Sequence, residues 1–282
     1  MNPRRFAVVG DPVAHSKSPI MHSAAFAALG LPHTYEAIRA KADALPRIVM
    51  QLRAGEFDGL NITVPHKQRI MALADVLDPS ARSAGASNTL VRRADCTISA
   101  HNTDAPALAA ELGRLAGDRF SWGTGRALVL GSGGAARAAV AALGLHLGVR
   151  DVAVRARAFA DPARLAAFVE AAPCPVAAQP WAADPSSERL TVALVQATTA
   201  GMSGGGDGDL AAGAVAWTAL PPEAIALEVI YAPRETPWLR AARARGLRSD
   251  DGLGMLARQG ALALELWLGI DAPLTAMRSA LE

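Results

Sequence analysis

Short apolar runs alternate with segments of helical period from the N-terminus almost to the end of the chain. RFAVVG reads as a buried strand. Ser18-Pro19 then supplies an N-cap with proline at the first helical position, and MHSAAFAALG continues as a helix ending at Gly30. HTYEAIRA has strand character, ALPRIVMQLRAG is helical, and GLNITV is a strand stopped by Pro65. QRIMALADVL predicts another helix up to Asp78-Pro79, while SNTLVRR and TISAHNTD predict two strands joined around Ala94-Asp95. Such alternation favours a mainly parallel sheet.

A second array begins near Arg126, where RALVLGSGGAARAAVAALGLHLG runs from apolar strand through a glycine turn into an alanine-rich helix. DVAVRAR, VALVQATTAGM and ALEVIYAP follow as strands. The tract GMSGGGDGDLAAG, with its glycine-rich loop 203–208, carries too little side-chain volume to pack and predicts a mobile surface loop. GMLARQGALALELWLG closes the chain as a long helix. The fold class is therefore α/β, built as two α/β domains.

Composition narrows the function. A length of 282 residues exceeds a usual single core, and 51% hydrophobic residues describe a well-packed globular chain. No apolar run approaches the ~20 residues of a membrane helix; the best candidate, ALALELWLGI, is broken by Glu265. The apolar stretch after Arg4-Arg5 is too short for a signal peptide. Cys96 and Cys174 have neither metal spacing nor a disulfide-rich setting, so a reduced, cytoplasmic protein is expected. The formal charge of +2 comes without a basic tract, which argues against nucleic acid as a partner. His15, His22, His33, His66, His101 and His146 show no metal-ligand spacing, so no metal is expected.

Within that charge, lysine is rare: only Lys17, Lys41 and Lys67 among 28 cationic residues. Arginine keeps its proton in a protein, whereas lysine gives it up when its surroundings favour the neutral amine. Lys67 closes NITVPHK at a strand end and is thus a candidate for proton transfer, with Asp104 as the acid that holds it. HSKSP, NITVPHK, GASNT and HNTD all fall where strands end, and in a parallel α/β sheet those ends form the ligand crevice. Ser16, Ser18, Asn61, Thr63 and Asn88 supply neutral hydrogen-bonding groups suited to a small, polyhydroxylated, anionic substrate.

Gly131, Ser132, Gly133, Gly134 and Ala135 open a G-x-G-x-x-A turn between strand and helix. There the first glycine permits the turn, the second lets backbone approach a pyrophosphate, and the helix amides face the anion. The next strand ends in Arg155-Ala156-Arg157, and the first acid is Asp161. Arginine at that place reads the 2′-phosphate of NADP, so Arg155 and Arg157 make NADP the expected cofactor, with NAD the alternative.

GDPVAHSKSPIMH, GLNITVPHK, GASNTL, NTD, LGSGGAARA, ATTAGM, YAPRETPWL and GLGMLARQGALALELWLG, in this order, resemble the shikimate dehydrogenase family nearly end to end. The resemblance implies NADP-dependent interconversion of 3-dehydroshikimate and shikimate. It implies Ser16 and Ser18 at the substrate carboxylate, Thr63 and Asn88 at the hydroxyls, and Lys67 with Asp104 as the catalytic pair. It also implies Tyr231 and Gln259 at the substrate, Gly131 to Ala135 at the pyrophosphate, and Val229 and Gly252 flanking the nicotinamide. The implied domains are 1–104 plus 252–282 for substrate and 105–251, of Rossmann type, for NADP. The chain departs from the family's pattern at Arg155-Ala156-Arg157 and Ala160, where Asn-Arg-Thr and a later arginine are usual. It departs again at Gln196 (usually asparagine), Glu228 (usually aspartate) and Ala100 (usually glycine). A quinate dehydrogenase is the alternative within the class, and a non-catalytic, ligand-sensing relative the alternative outside it; a monomer or homodimer is expected.

Overall fold

The computed structural model describes residues 2–282. Two compact units emerge. One comprises the residues up to Ala107 together with Gly254–Glu282, and the other Leu108–Leu253.

The first unit carries six strands: β1 (Arg5–Gly10), β2 (Thr34–Arg39), β3 (Gly59–Ile62), β4 (Val76–Leu77), β5 (Thr89–Arg92) and β6 (Ile98–His101). Their order is β2-β1-β3-β5-β6-β4. The expectation of a mainly parallel sheet needs correcting here. β5 is antiparallel to both β3 and β6, because β5 and β6 are joined by the tight connection around Ala94-Asp95 rather than by a crossover helix. β1 pairs parallel with β2 and β3. Phe6, Val8, Leu60, Ile62, Leu90 and Ile98 are buried, as continuous apolar runs require when both faces of a sheet are covered.

Two further local expectations change. Ser18 does not cap its helix: Ser18–Ala28 begins with it, and its amide donates to the Ser16 hydroxyl at 3.2 Å. QRIMALADVL forms not an α-helix but a 3₁₀ segment, Arg69–Leu73, followed by the short β4, because Asp75 and Asp78 donate their amides to the β6 carbonyls of Ile98 and Ala100. Asp78 then caps Pro79–Ala84 through the Ser80 amide. Lys17, one of the three lysines, donates to the Leu281 carbonyl at 2.7 Å and so fastens the last residues of the chain to the first helix. Gly59 is required by Trp267: a Cβ there would sit 2.2 Å from the indole nitrogen, which donates to the Leu90 carbonyl.

The second unit holds β7 (Arg126–Leu130), β8 (Asp151–Arg155), β9 (Val176–Gln179), β10 (Thr191–Gln196), β11 (Ile225–Glu228) and β12 (Arg248–Asp250). All pair parallel in the order β12-β11-β10-β7-β8-β9. This is the doubly wound arrangement, in which the order reverses between β7 and β10 and opens a crevice at the strands' carboxyl ends. The helix Gly134–Ala141 leaves directly from that point.

The glycine-rich tract lies at the surface, with Ser203, Gly204, Gly206 and Asp207 exposed, but its backbone is hydrogen-bonded. The Gly201 amide donates to the Gly206 carbonyl and the Thr199 hydroxyl to the Gly205 carbonyl. A Cβ on Gly205 would lie 2.0 Å from the Thr199 carbonyl oxygen, so that glycine serves close backbone approach, while Gly204 and Gly206 take positive φ in open space. Asp209–Ala212 then forms one helical turn.

Candidate active site

Lys67 is placed by the turn after β3. The His66 amide donates to the Thr63 carbonyl, and the buried His66 ring bonds the Ala40 carbonyl oxygen at 2.7 Å, anchoring the turn from below. The Lys67 carbonyl accepts from the Ser87 amide at 2.7 Å. Asp104 is the first residue of Asp104–Ala116, where the helix dipole favours a carboxylate. Asn102 caps that helix through the Ala105 amide. The Lys67 ammonium donates to Asp104 Oδ2 at 2.6 Å, with 14% of the lysine side chain and 2% of the aspartate exposed. So the structure brings the two together, and the amine is the member that faces solvent.

Asn88 is the hub. Its Nδ2, with two hydrogens, lies within reach of three acceptors: Thr103 Oγ1 at 2.8 Å, Asp104 Oδ1 at 2.9 Å and Gln259 Oε1 at 3.2 Å. Its Oδ1 accepts from the Thr103 amide at 2.7 Å. Gln259 is thereby drawn into the cluster from the long helix Leu253–Leu268, and its own amide donates to the Leu256 carbonyl. A substrate hydroxyl that approaches Asn88 or Gln259 meets groups already oriented, and exchanges one hydrogen bond for another.

Asn61 plays a different part. It is 4% exposed; its Nδ2 donates to the Asn88 carbonyl and Thr89 Oγ1, and its Oδ1 accepts from the Tyr35 hydroxyl at 2.7 Å. Its polar atoms serve to position the Asn88 backbone. Tyr35 is stacked in turn on His22, with centroids 4.2 Å apart, and burial lowers the pKa of His22 to about 3, so the ring stays neutral. Thr63 and Ser16 are half-buried, and Ser18 is buried at the start of its helix. Thr103, Thr89 and Tyr35 carry no role in the sequence reading. Thr103 lies within the quoted HNTD motif, but Tyr35 is distant in sequence and gives no signal.

In the second unit, Gly131 has φ +123°, and a Cβ on it would press on the Ala197 carbonyl. Its amide donates to the Arg155 carbonyl at 2.7 Å. Gly133 caps Gly134–Ala141 without a side chain, and a Cβ built on it meets open space. The first intrahelical bond is Arg137 to Gly133, which leaves the amides of Gly134, Ala135 and Ala136 pointing out of the turn. The half-buried Ser132 stands at the same bend. These residues fit a dinucleotide pyrophosphate. Val229 and Gly252 are brought together: a Cβ on Gly252 would lie 2.2 Å from the Val229 carbonyl oxygen, and the Gly252 amide donates to Ile230. Tyr231 follows two residues after Val229 and is half-buried.

Arg155 is corrected by the structure. It is fully buried, and its guanidinium is bonded to both oxygens of Glu188, at 2.6 and 3.1 Å, to Gln179 Oε1 and to the Ala214 carbonyl. A side chain so enclosed does not reach a phosphate, and Glu188, 33 residues away, carries no mark in the sequence. Arg157 is exposed, in the 3₁₀ turn Arg157–Ala160.

The two departures at Gln196 and Glu228 prove to be one feature. Gln196 Nε2 donates to Glu228 Oε1 at 3.2 Å, and the Thr236 hydroxyl donates to Oε2 at 2.7 Å. Burial, strengthened by the nearby Asp251 charge, raises the Glu228 pKa from 4.5 to about 7, against the hydrogen bonds of Thr236 and Gln196 that lower it. A raised carboxyl pKa means that the folded chain binds the proton more tightly than the unfolded one. This contribution to stability is present in full below pH 4.5 and is lost as pH rises towards 7. The loss is of order 3 kcal/mol. Glu228→Gln should therefore flatten stability between pH 5 and pH 8 relative to the parent, read from urea midpoints; midpoints that move in parallel would contradict it.

Among the described residues, no helix is long and apolar enough to cross a membrane. A doubly wound unit with a glycine turn at its switch point, in one chain with a unit that presents a lysine–aspartate pair among buried amide and hydroxyl groups, points to the class of two-domain nicotinamide-dependent dehydrogenases. Comparison with known proteins makes this particular. A profile described as the shikimate dehydrogenase substrate binding domain matches residues 8–90, and one described as the shikimate 5′-dehydrogenase C-terminal domain matches residues 252–282. The shikimate dehydrogenase (NADP(+)) of Methylobacterium radiotolerans is 43% identical over 270 residues, covering 95% of this chain and 92% of the relative. Among solved structures, the Thermus thermophilus shikimate 5-dehydrogenase with NADP(H) and shikimate superposes with a TM-score of 0.81 at 36% identity, covering 99% of this chain and 98% of that one. The Listeria monocytogenes enzyme, with shikimate and NAD, gives 0.84 at 29% identity, covering 99% and 96%. The chain belongs to the shikimate dehydrogenase family.

Proposed function

We propose that this protein is an NADP-dependent shikimate dehydrogenase, reversibly reducing 3-dehydroshikimate to shikimate. The observation that carries the reading is the 2.6 Å contact of Lys67 with Asp104, whose other carboxylate oxygen accepts from the Asn88 side chain. Bound NADP supplies the hydride or accepts it. In the reducing direction the Lys67 ammonium gives a proton to the substrate oxygen as its carbonyl is reduced; in the oxidising direction the amine takes that proton back. Asp104 keeps the amine aimed at the oxygen and balances its charge. Ser16 and Ser18 hold the ring carboxylate, Thr63, Asn88 and Gln259 the hydroxyls, and Tyr231 completes the substrate contacts. The amides after Gly133 hold the pyrophosphate, with Val229 and Gly252 beside the nicotinamide.

The residues up to Ala107, with the C-terminal segment, then form the substrate domain, and Leu108–Leu253 the cofactor domain. A cytoplasmic enzyme of small molecules, monomer or homodimer, goes with this reading. Steady-state oxidation of shikimate and of quinate, each with NADP and with NAD, tests it. Shikimate should give the higher kcat/KM with either cofactor. Preference for quinate would move the assignment to a quinate dehydrogenase, and binding without turnover would make the chain a sensor.

A further inference from the structure

The carboxyl end of β8 is where a doubly wound unit distinguishes its dinucleotides, by an acid on the ribose hydroxyls or by arginine on the 2′-phosphate. In this chain both devices are missing from the strand end itself. The Arg155 backbone is at the turn, since its carbonyl accepts from the Gly131 amide at 2.7 Å. Its side chain is enclosed by Glu188, Gln179 and Ala214. Glu188 is itself fully buried and also accepts from the Ala216 amide at 3.0 Å. To swing Arg155 outward would strand a buried carboxylate and two amide-type acceptors, so the enclosed arrangement is the stable one. Ala156, the next residue, is 2% exposed and offers only a methyl group. The first acid, Asp161, is occupied in capping Pro162–Glu170 through the Ala163 amide.

We propose that Arg157 is the specificity-determining residue: with Arg155 held in the interior by Glu188, Arg157 is the cation of this segment that meets a 2′-phosphate, and the preference for NADP over NAD is no more than about tenfold. This rests on the dehydrogenase reading above and refines its cofactor. An exposed ion pair discriminates by a factor of up to about five, whereas two arginines gripping one phosphate in a bidentate manner discriminate by about a hundredfold or more.

Calorimetric titration of the purified chain with NADP⁺ and with NAD⁺, in the absence of substrate, tests the proposal. The ratio of the two dissociation constants should lie within about tenfold for the parent. Arg157→Ala should bring it to about one, while Arg155→Met combined with Glu188→Met should leave it as it is in the parent. A ratio of a hundredfold or more in the parent, or one that Arg157→Ala leaves standing, overturns the proposal. So does a ratio that the double replacement abolishes. Should the double replacement fail to fold, the parent and Arg157→Ala decide alone. A chain that binds both dinucleotides but fails to oxidise shikimate would sink the substrate assignment and leave this ratio intact.

Discussion

Lys67→Ala is expected to lower kcat for shikimate oxidation by about 10²- to 10⁴-fold, the range that a positioned proton-transfer group contributes. Shikimate affinity, measured by equilibrium titration, should change only a few-fold. The separation follows from the geometry. The groups proposed to bind the hydroxyls are organised without the ammonium: Asn88 takes its orientation from Thr103 and Gln259, and Asn61 fixes the Asn88 backbone. In the proposed mechanism what the amine adds is a proton at the reacting oxygen. Removing it leaves Asp104, 2% exposed, with only the Asn88 amide as a donor at 2.9 Å, so some of the lost rate will come from reorganisation of that carboxylate. Turnover equal to the parent's would remove Lys67 from the chemistry.

Glu188→Ala is expected to destabilise the second unit by about 3–5 kcal/mol, because it leaves the enclosed guanidinium of Arg155 without a counter-charge. Scanning calorimetry should show the corresponding fall in the thermal transition, roughly 6–20 °C. The pair is not indispensable to the fold. Replacing both partners by methionine removes two desolvated charges at once, and such exchanges are often neutral or stabilising. A single replacement that costs no stability would show that water reaches the site and that the pair is not enclosed.

How far these features were legible in the sequence depends on the range of the interactions that create them. Strands with unbroken apolar runs, such as RALVL, and the glycine turn at Gly131 follow from local chemistry, and both stand where their residues predict. The motifs carrying Lys67, Asn88 and Asp104 were visible as polar groups at strand ends, and their convergence follows from sheet order. QRIMALADVL misled because its apolar spacing suits a helix, while the amides of Asp75 and Asp78 are claimed by β6, a partner set by tertiary contact. Arg155 misled for the same reason. An arginine at the end of β8 is a phosphate ligand by position, and only a carboxylate 33 residues further on turns it inward. In the glycine tract composition points to an exposed loop, and most of it is exposed; only Gly205 is held small by Thr199, a contact that composition does not show. Gln196 and Glu228 stood out singly; that they form one hydrogen-bonded pair is a fact of β10 lying beside β11.

Direct hydride transfer between a substrate carbinol and the nicotinamide lies at the centre of this account. Shikimate deuterated at the carbon that is oxidised, turned over with NADP⁺, should place its deuterium on the reduced nicotinamide and show a slower rate than the protiated compound when chemistry limits. Deuterium released to water, or absent from the nicotinamide, would contradict it.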